Sequence, residues 1–278
     1  YGDEKIEIPK PRNIKRICCL GASTTANYIG NIENNTYTSY PLELEKYLQK
    51  KTKNKNIRVV NCGIGGANSA DLLIRYSLQI LDMNPDILII YHGYNDIYNY
   101  LTKDFKSDYS HSVQGLSRSI YKFKIASYIP YLPLKSLQYI VNLFFPVRGV
   151  VNNLTKLIRI GKFDLNQEYE TGINIYKRNL QSIIDIAKAK GTKIILVTFA
   201  HYLYEDIKSS KLHKRYSEII KAENKIIRNL AIDNDLTMVD NAEKMPKEDY
   251  YFVDSIHYTI DGMRRIAQNI GEIIYKDI

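Results

Sequence analysis

Asp86-Ile87-Leu88-Ile89-Ile90-Tyr91-His92-Gly93-Tyr94-Asn95-Asp96 is the stretch on which the fold turns. Ile87 to Ile90 are all branched aliphatics and leave no wet face, so the segment reads as a β-strand covered on both sides, as in a parallel sheet. After Tyr91 the chemistry switches to a glycine among polar side chains, which marks the strand's end. Working outward, short β-rich runs recur at Arg16–Leu20, Ile57–Asn61, Lys193–Ala200 and Leu236–Asp240, and Ile194-Ile195-Leu196-Val197 repeats the unbroken aliphatic pattern. Helical periodicity fills the intervals at about Thr38–Lys50, Ser69–Asp82, Glu168–Lys190, Lys211–Asp233 and Thr259–Tyr275, with Lys190-Gly191 as a helix stop before the fourth strand. This alternation predicts an α/β protein with a doubly wound parallel sheet.

The chain has 278 residues, 45% apolar and 25% charged, which is enough for a sizeable core in one large domain or two small ones. No apolar run reaches the roughly 18 residues of a membrane span, so an integral channel is excluded, and the composition excludes a disordered tail. The formal net charge is +9, and between Thr102 and Leu165 ten basic residues stand against three acids, so +7 of it lies in that segment. The same segment interrupts the strand–helix rhythm, and a compact domain rarely tolerates so long a connection without structure of its own. Residues 102–165 are therefore expected to form a helical insertion, a cap or lid, within a single domain spanning 1–278. Within it Ile125–Phe145 is apolar and tyrosine-rich but broken by Pro130, Pro133 and Lys135. Such a stretch suits broken helices that pack on the core, cover a site, or make peripheral contact with an anionic membrane. Cys18, Cys19 and Cys62 form no disulfide framework and no metal motif, and are expected to be buried thiols. The sequence opens at Tyr1 without a Met, so an upstream leader or anchor and a place in the cell envelope are expected, with a cytoplasmic location left open.

Ligands of such a sheet bind outside the carboxyl ends of its strands. Those ends carry Gly21-Ala22-Ser23-Thr24-Thr25, Asn61-Cys62-Gly63-Ile64-Gly65-Gly66-Ala67-Asn68, Gly93-Tyr94-Asn95-Asp96, His201 and Asp254-Ser255-Ile256-His257. A serine hydroxyl attacks an acyl carbon only when a base takes its proton. His257 can do so if its other ring nitrogen donates to a carboxylate, and Asp254 lies three residues away. The oxyanion that then develops needs donors already aimed at it, and the Ser23 N–H, the Gly66 N–H and the Asn95 amide are the candidates. Each residue also has a bland reading: Ser23 as a helix N-cap, Asp254 as a turn former, His257 as a surface histidine, Gly63 and Gly65 as turn formers, His92 and Tyr94 as packing. Their joint occurrence, in order and at successive strand ends, favours chemistry. His201 reads either as a capping histidine or, with Tyr94, as part of a substrate-binding pocket.

Together these blocks resemble the SGNH (GDSL-like) hydrolase superfamily, whose four blocks contribute Ser, Gly, Asn and His in that order. Gly21-Ala22-Ser23-Thr24 is similar to the first block, Asn61 to Gly66 to the second, Gly93-Tyr94-Asn95-Asp96 to the third and Asp254-x-x-His257 to the last. The resemblance covers about Lys15 to Ile274 and leaves 102–165 without a counterpart. Ala22 stands where the family has Asp before the nucleophile, which weakens the GDSL label more than the assignment of Ser23. The resemblance implies a flavodoxin-like three-layer α/β/α fold with a five-stranded parallel sheet of order 2-1-3-4-5, and ester hydrolysis without metal or cofactor. Catalysis would fall to Ser23, Asp254 and His257, with Ser23, Gly66 and Asn95 as the oxyanion hole. The substrate would be a small-molecule or glycan ester, a carbohydrate O-acetyl group among the choices. An O-acyltransferase, in which a sugar hydroxyl replaces water, and a catalytically silent glycan-binding scaffold are the alternatives. The Gly-x-Ser-x-Gly elbow of α/β-hydrolases is absent around Ser23. The Gly63-x-Gly65-Gly66 run follows the second strand and lacks the spacing of a dinucleotide loop. Net charge alone speaks for nucleic acid, without a recognition motif, and no such partner is expected.

Overall fold

A computed structural model of the chain describes residues 6–26, 29–31, 36–103, 105–109, 164–205 and 208–278. The chain divides into two compact units, one of Tyr1–Ile97 with Tyr169–Ile278 and one of Tyr98–Glu168. The first unit begins with strand β1 (Lys15–Gly21), then a short antiparallel hairpin of β2 (Ile29–Asn31) and β3 (Thr36–Thr38), followed by β4 (Ile57–Asn61), β5 (Ile87–Tyr91), β6 (Lys193–Val197) and β7 (Thr237–Val239). β4-β1-β5-β6-β7 form one sheet in that order, every neighbouring pair parallel. Numbered along the sheet's own strands the order is 2-1-3-4-5, as the resemblance implied. β5 is buried along its whole length, which is why it had to be aliphatic without alternation. Each such side chain contributes about 1.5–3 kcal/mol relative to an exposed one.

Eight helices are described: α1 (Ser23–Ala26), α2 (Tyr40–Thr52), α3 (Ser69–Arg75), α4 (Ile97–Tyr100), α5 (Glu170–Ala189), α6 (Lys211–Asp233), α7 (Asn241–Lys244) and α8 (Ile260–Ile274). Their starts follow from local chemistry. Asn68 and Asp71 form a reciprocal capping box on α3, and the Thr259 hydroxyl accepts the Gly262 N–H at 3.1 Å to open α8. α8 buries Met263, Ile266, Ala267, Ile270 and Ile274 at helical spacing and packs against α2, while α3 and α6 pack against α5. A Cβ at Gly271 would come within 2.4 Å of the Tyr47 ring, so glycine sets how closely α8 approaches α2.

The register fixes where the site lies. Gly21, Tyr91, Val197 and Val239 lie in one row across β1, β5, β6 and β7, so the loops after these strands leave the sheet at one level. β6 stops at Val197, short of the expected Ala200: the Thr198 N–H still reaches the Val239 carbonyl at 3.1 Å, but the Asn224 side chain then takes both the N–H and the C=O of Phe199. The helix expected at Ser69–Asp82 is α-helical only to Arg75, then passes through a π turn at Tyr76–Ile80 and a 3₁₀ turn at Leu81–Met83. All three cysteines are free and buried. No helix among the described residues is long and apolar enough to cross a membrane. In the second unit the Asp164 N–H donates to the Leu101 carbonyl at 2.8 Å, and Tyr100, Phe105 and Tyr109 stack edge to face. Residues 104 and 110–163, on which most of the expected cap falls, lie outside the described residues.

Candidate active site

Ser23 opens α1, two residues past the end of β1. The turn is tight because Gly21 has no side chain: a Cβ there would lie 2.1 Å from Thr25 Oγ1 and 2.4 Å from the Tyr91 carbonyl oxygen. The Ala22 carbonyl accepts the N–H groups of Thr25 and Ala26 at 3.1 and 2.8 Å, which closes the single helical turn. From β4, Asn61 Nδ2 donates to the Thr25 carbonyl at 2.8 Å while its Oδ1 accepts the Gly63 N–H at 3.0 Å. Gly63 is thereby pressed onto α1, where a Cβ would sit 2.2 Å from the Ala26 nitrogen. The expected turn glycine thus sits where two backbones nearly touch; at Gly65, in contrast, a Cβ would meet nothing within 4 Å.

Asp254 and His257 sit on the connection between α7 and α8. His257 Nε2 is 3.0 Å from Ser23 Oγ, and its Nδ1 is 2.7 Å from Asp254 Oδ2. The second carboxylate oxygen accepts the N–H groups of Ile256 and His257 at 2.9 and 2.8 Å, so the loop is wound around the carboxylate. Partial burial opposes ionisation of Asp254, but the bond to the His257 ring and these two N–H donors outweigh it and bring its pKa down to about 2. With Nδ1 occupied as a donor to Asp254, Nε2 is left to accept the Ser23 proton. Three residues separated by up to 234 positions in sequence therefore form one hydrogen-bonded chain.

Beneath it lies a buried layer of hydroxyls. The Tyr258 hydroxyl donates to the Ala200 carbonyl at 2.6 Å and lies 2.5 Å from the Tyr91 hydroxyl, which the Ala200 N–H and Asn241 Nδ2 also reach. Burial keeps both phenols protonated, raising Tyr91 to about 12 and Tyr258 in the same direction. The residue beside His257 is thus anchored to the last residue of β5 and to the segment that follows β6.

The third-strand loop is bent into an uncommon shape. Tyr94 has φ +76°, a left-handed conformation that bulky residues rarely adopt, and strain of this kind costs about 1–3 kcal/mol. Its N–H donates at 3.1 Å to Oε2 of Glu223, a buried residue of α6, and its ring meets Tyr216 edge to face at 5.4 Å. Gly93 must be glycine because the Phe199 ring lies 2.8 Å from where a Cβ would be. Asn95 follows, with its N–H on the Gly93 carbonyl at 3.0 Å and its Nδ2 on the Ala67 carbonyl at 2.9 Å. That last bond orients the amide and ties it to the residue after Gly66, itself at φ +78°. Asp96, fully buried, clamps the same two loops: it accepts the Ser69 N–H at 2.9 Å and the Ser69 hydroxyl at 2.6 Å, and pairs with His92 Nε2 at 2.7 Å. His92 is accordingly a buried structural group.

His201 faces α6, with Nε2 2.8 Å from the Ser217 hydroxyl. Burial, reinforced by Lys247 and Lys221, pushes its pKa down to about 4, so it is neutral at ordinary pH. The backbone next to it does reach the candidate site, since the Tyr202 N–H donates to the Ser255 carbonyl at 2.9 Å. The sequence reading missed Glu223, Asn224 and Tyr258. The first two carried a usable signal: they are polar neighbours placed between Ile220 and Ile227 on the apolar stripe of α6, where nothing polar would survive without partners. Among the described residues no group of His, Cys, Asp and Glu is arranged to hold a metal ion.

Residues 19–265 match the model of the GDSL-like Lipase/Acylhydrolase family, and the chain belongs to that family. No curated protein matches it. Among solved structures it is similar to the lipase/acylhydrolase from Enterococcus faecalis, at 17% identity over 95% of this chain and 97% of that one, with a TM-score of 0.56. The acetyl xylan esterase AlAXEase aligns at 18% identity over 92% and 98% of the two chains, TM-score 0.54. A catalytic mutant of an acetylxylan esterase from Geobacillus stearothermophilus aligns at 16% identity over 94% of each, TM-score 0.55. At these identities the likeness is one of fold.

Proposed function

We propose that the chain is a serine esterase that removes small acyl groups, acetyl first, from the hydroxyls of a glycan. The hydrogen-bonded chain Ser23–His257–Asp254 carries this reading. Two of the similar folds are described as acetyl xylan esterases, which supports the choice of a carbohydrate O-acetyl substrate. In the forward step Ser23 Oγ attacks the ester carbonyl carbon and its proton passes to His257 Nε2, while Asp254 stabilises the imidazolium. Negative charge moves to the carbonyl oxygen, where the N–H groups of Ser23 and Gly66 and the Asn95 amide receive it. The C–O bond to the sugar then breaks, and His257 returns the proton to the departing hydroxyl. Water attacks the acyl-serine in turn, loses a proton to His257 and releases the acid, after which Ser23 recovers its proton. His201 and Tyr94 are proposed as pocket residues that affect acyl preference rather than proton transfer.

The test is product analysis on acetylated xylan and on p-nitrophenyl esters of increasing chain length, with free sugar present. Acetate release from the glycan, falling activity with longer acyl chains, and no acylated sugar are expected. Activity confined to long-chain esters would overturn the substrate assignment, and acyl transfer to sugar without acid release would make the protein a transferase.

A further inference from the structure

We infer that Glu223 is a positioning residue that holds the Asn95 amide in its working orientation, an inference that rests on the proposed role of Asn95 as an oxyanion donor. Glu223 is 1% exposed and lies on the inner face of α6, where a carboxyl group is costly to bury unless it is hydrogen-bonded. Its Oε2 accepts the backbone N–H of Tyr94 at 3.1 Å. That N–H belongs to the one residue of the third-strand loop with a positive φ, and Asn95 comes next. If Tyr94 returned to negative φ, the following peptide would rotate, and the Asn95 N–H and Nδ2 would leave the Gly93 and Ala67 carbonyls they now reach at 3.0 and 2.9 Å.

α6 grips Tyr94 at two points. Tyr216, two turns before Glu223 on the same helix, meets the Tyr94 ring while Glu223 meets the backbone, so one rigid element fixes both the side chain and the peptide. The next residue, Asn224, holds Phe199, whose ring lies against Gly93 in the same turn. Glu223 thus acts through Asn95 and has no part in the Ser23–His257–Asp254 chain.

A double-mutant cycle between Glu223 and Asn95, read by p-nitrophenyl acetate kinetics, tests this. Asn95→Ala should lower kcat by about 10²–10³, the usual weight of one oxyanion donor. Glu223→Ala should lower kcat on the order of 10-fold or more with KM within about 2-fold, and should add less than about 2-fold once Asn95 is Ala. Glu223→Gln, whose amide oxygen can accept the same N–H, should recover most of the activity. An equal loss from Glu223→Ala with and without Asn95 would overturn the inference and leave a general structural role, as would a Glu223→Ala enzyme with unchanged kcat. If Glu223→Ala does not fold by circular dichroism, the same cycle on Glu223→Asp, which keeps the carboxyl group but withdraws it by one methylene, must show the same coupling. Full activity in Asn95→Ala would instead overturn the oxyanion reading itself, and the inference with it.

Discussion

Asp254 is surrounded by donors that favour its ionised form: the His257 ring and two backbone N–H groups. Burial opposes ionisation but is outweighed, and the carboxylate stays charged down to about pH 2. A depressed carboxylate adds stability above its ordinary value near 4 and loses it as pH falls through the folded value, so this contribution is intact wherever the enzyme is assayed. Asp254→Asn should keep the fold, misdirect the His257 tautomer and lower kcat at neutral pH on the order of 10²–10⁴; steady-state kinetics showing less than about a 10-fold loss would contradict the role. His201 gives a separate pH signature. Its folded pKa of about 4 lies below the ordinary 6.5, so the stability it adds is present above 6.5 and is lost as pH falls through 4. Thermal denaturation across that window should show the wild type losing up to about 3 kcal/mol more than His201→Gln, and equal pH slopes would contradict its burial as a neutral group. Ser23 and Asn95 were legible in the sequence because each lies within four residues of the end of a recognisable strand, whereas Asp254 and His257 lie beyond α7 and were legible only through their three-residue spacing and the resemblance. Glu223 was not, since a glutamate in an amphipathic helix reads as solvated until its place in the apolar stripe is compared with Ile220 and Ile227.

At the scale of elements, the placement of α1 depends on a glycine in a neighbouring loop. Gly63→Ala would put a methyl group 2.2 Å from the Ala26 nitrogen and 2.7 Å from its Cα, and neither backbone can turn aside as a flexible side chain would. α1 must shift, taking Ser23 with it, and a misplacement of about 1 Å can cost 10²-fold in rate. The expected outcome is a folded protein by circular dichroism with kcat reduced at least about 10-fold; an unchanged rate would contradict the close contact. Tyr258→Phe acts on the same edge from below. It strips the Ala200 carbonyl and the Tyr91 hydroxyl of a partner, and a Tm fall equivalent to about 1–3 kcal/mol is expected, with unchanged stability as the contrary result. The strands themselves were legible because burial on both faces forces unbroken aliphatic runs. The end of β6 was not, because Val197 and Phe199 differ less in propensity than in what the Asn224 side chain does to the backbone of Phe199.

For the whole molecule, the parallel register sets four strand ends level and so gathers side chains from distant parts of the sequence at one edge. The topology was legible through the order of the blocks, since a 2-1-3-4-5 sheet brings the first, second, third and last strand ends to the same mouth. The basic segment had no such template: its charge of +7 between Thr102 and Leu165 is clear, but charge and apolarity without a period do not specify a packing partner. The central claim is that Ser23 is the nucleophile activated by His257. Its most direct test is fluorophosphonate labelling of the intact protein followed by peptide mass mapping. A single covalent adduct on Ser23 is predicted, absent in Ser23→Ala and strongly slowed in His257→Ala while circular dichroism is unchanged. An adduct on another residue, or a Ser23→Ala protein that still hydrolyses p-nitrophenyl acetate at the wild-type rate, would contradict it.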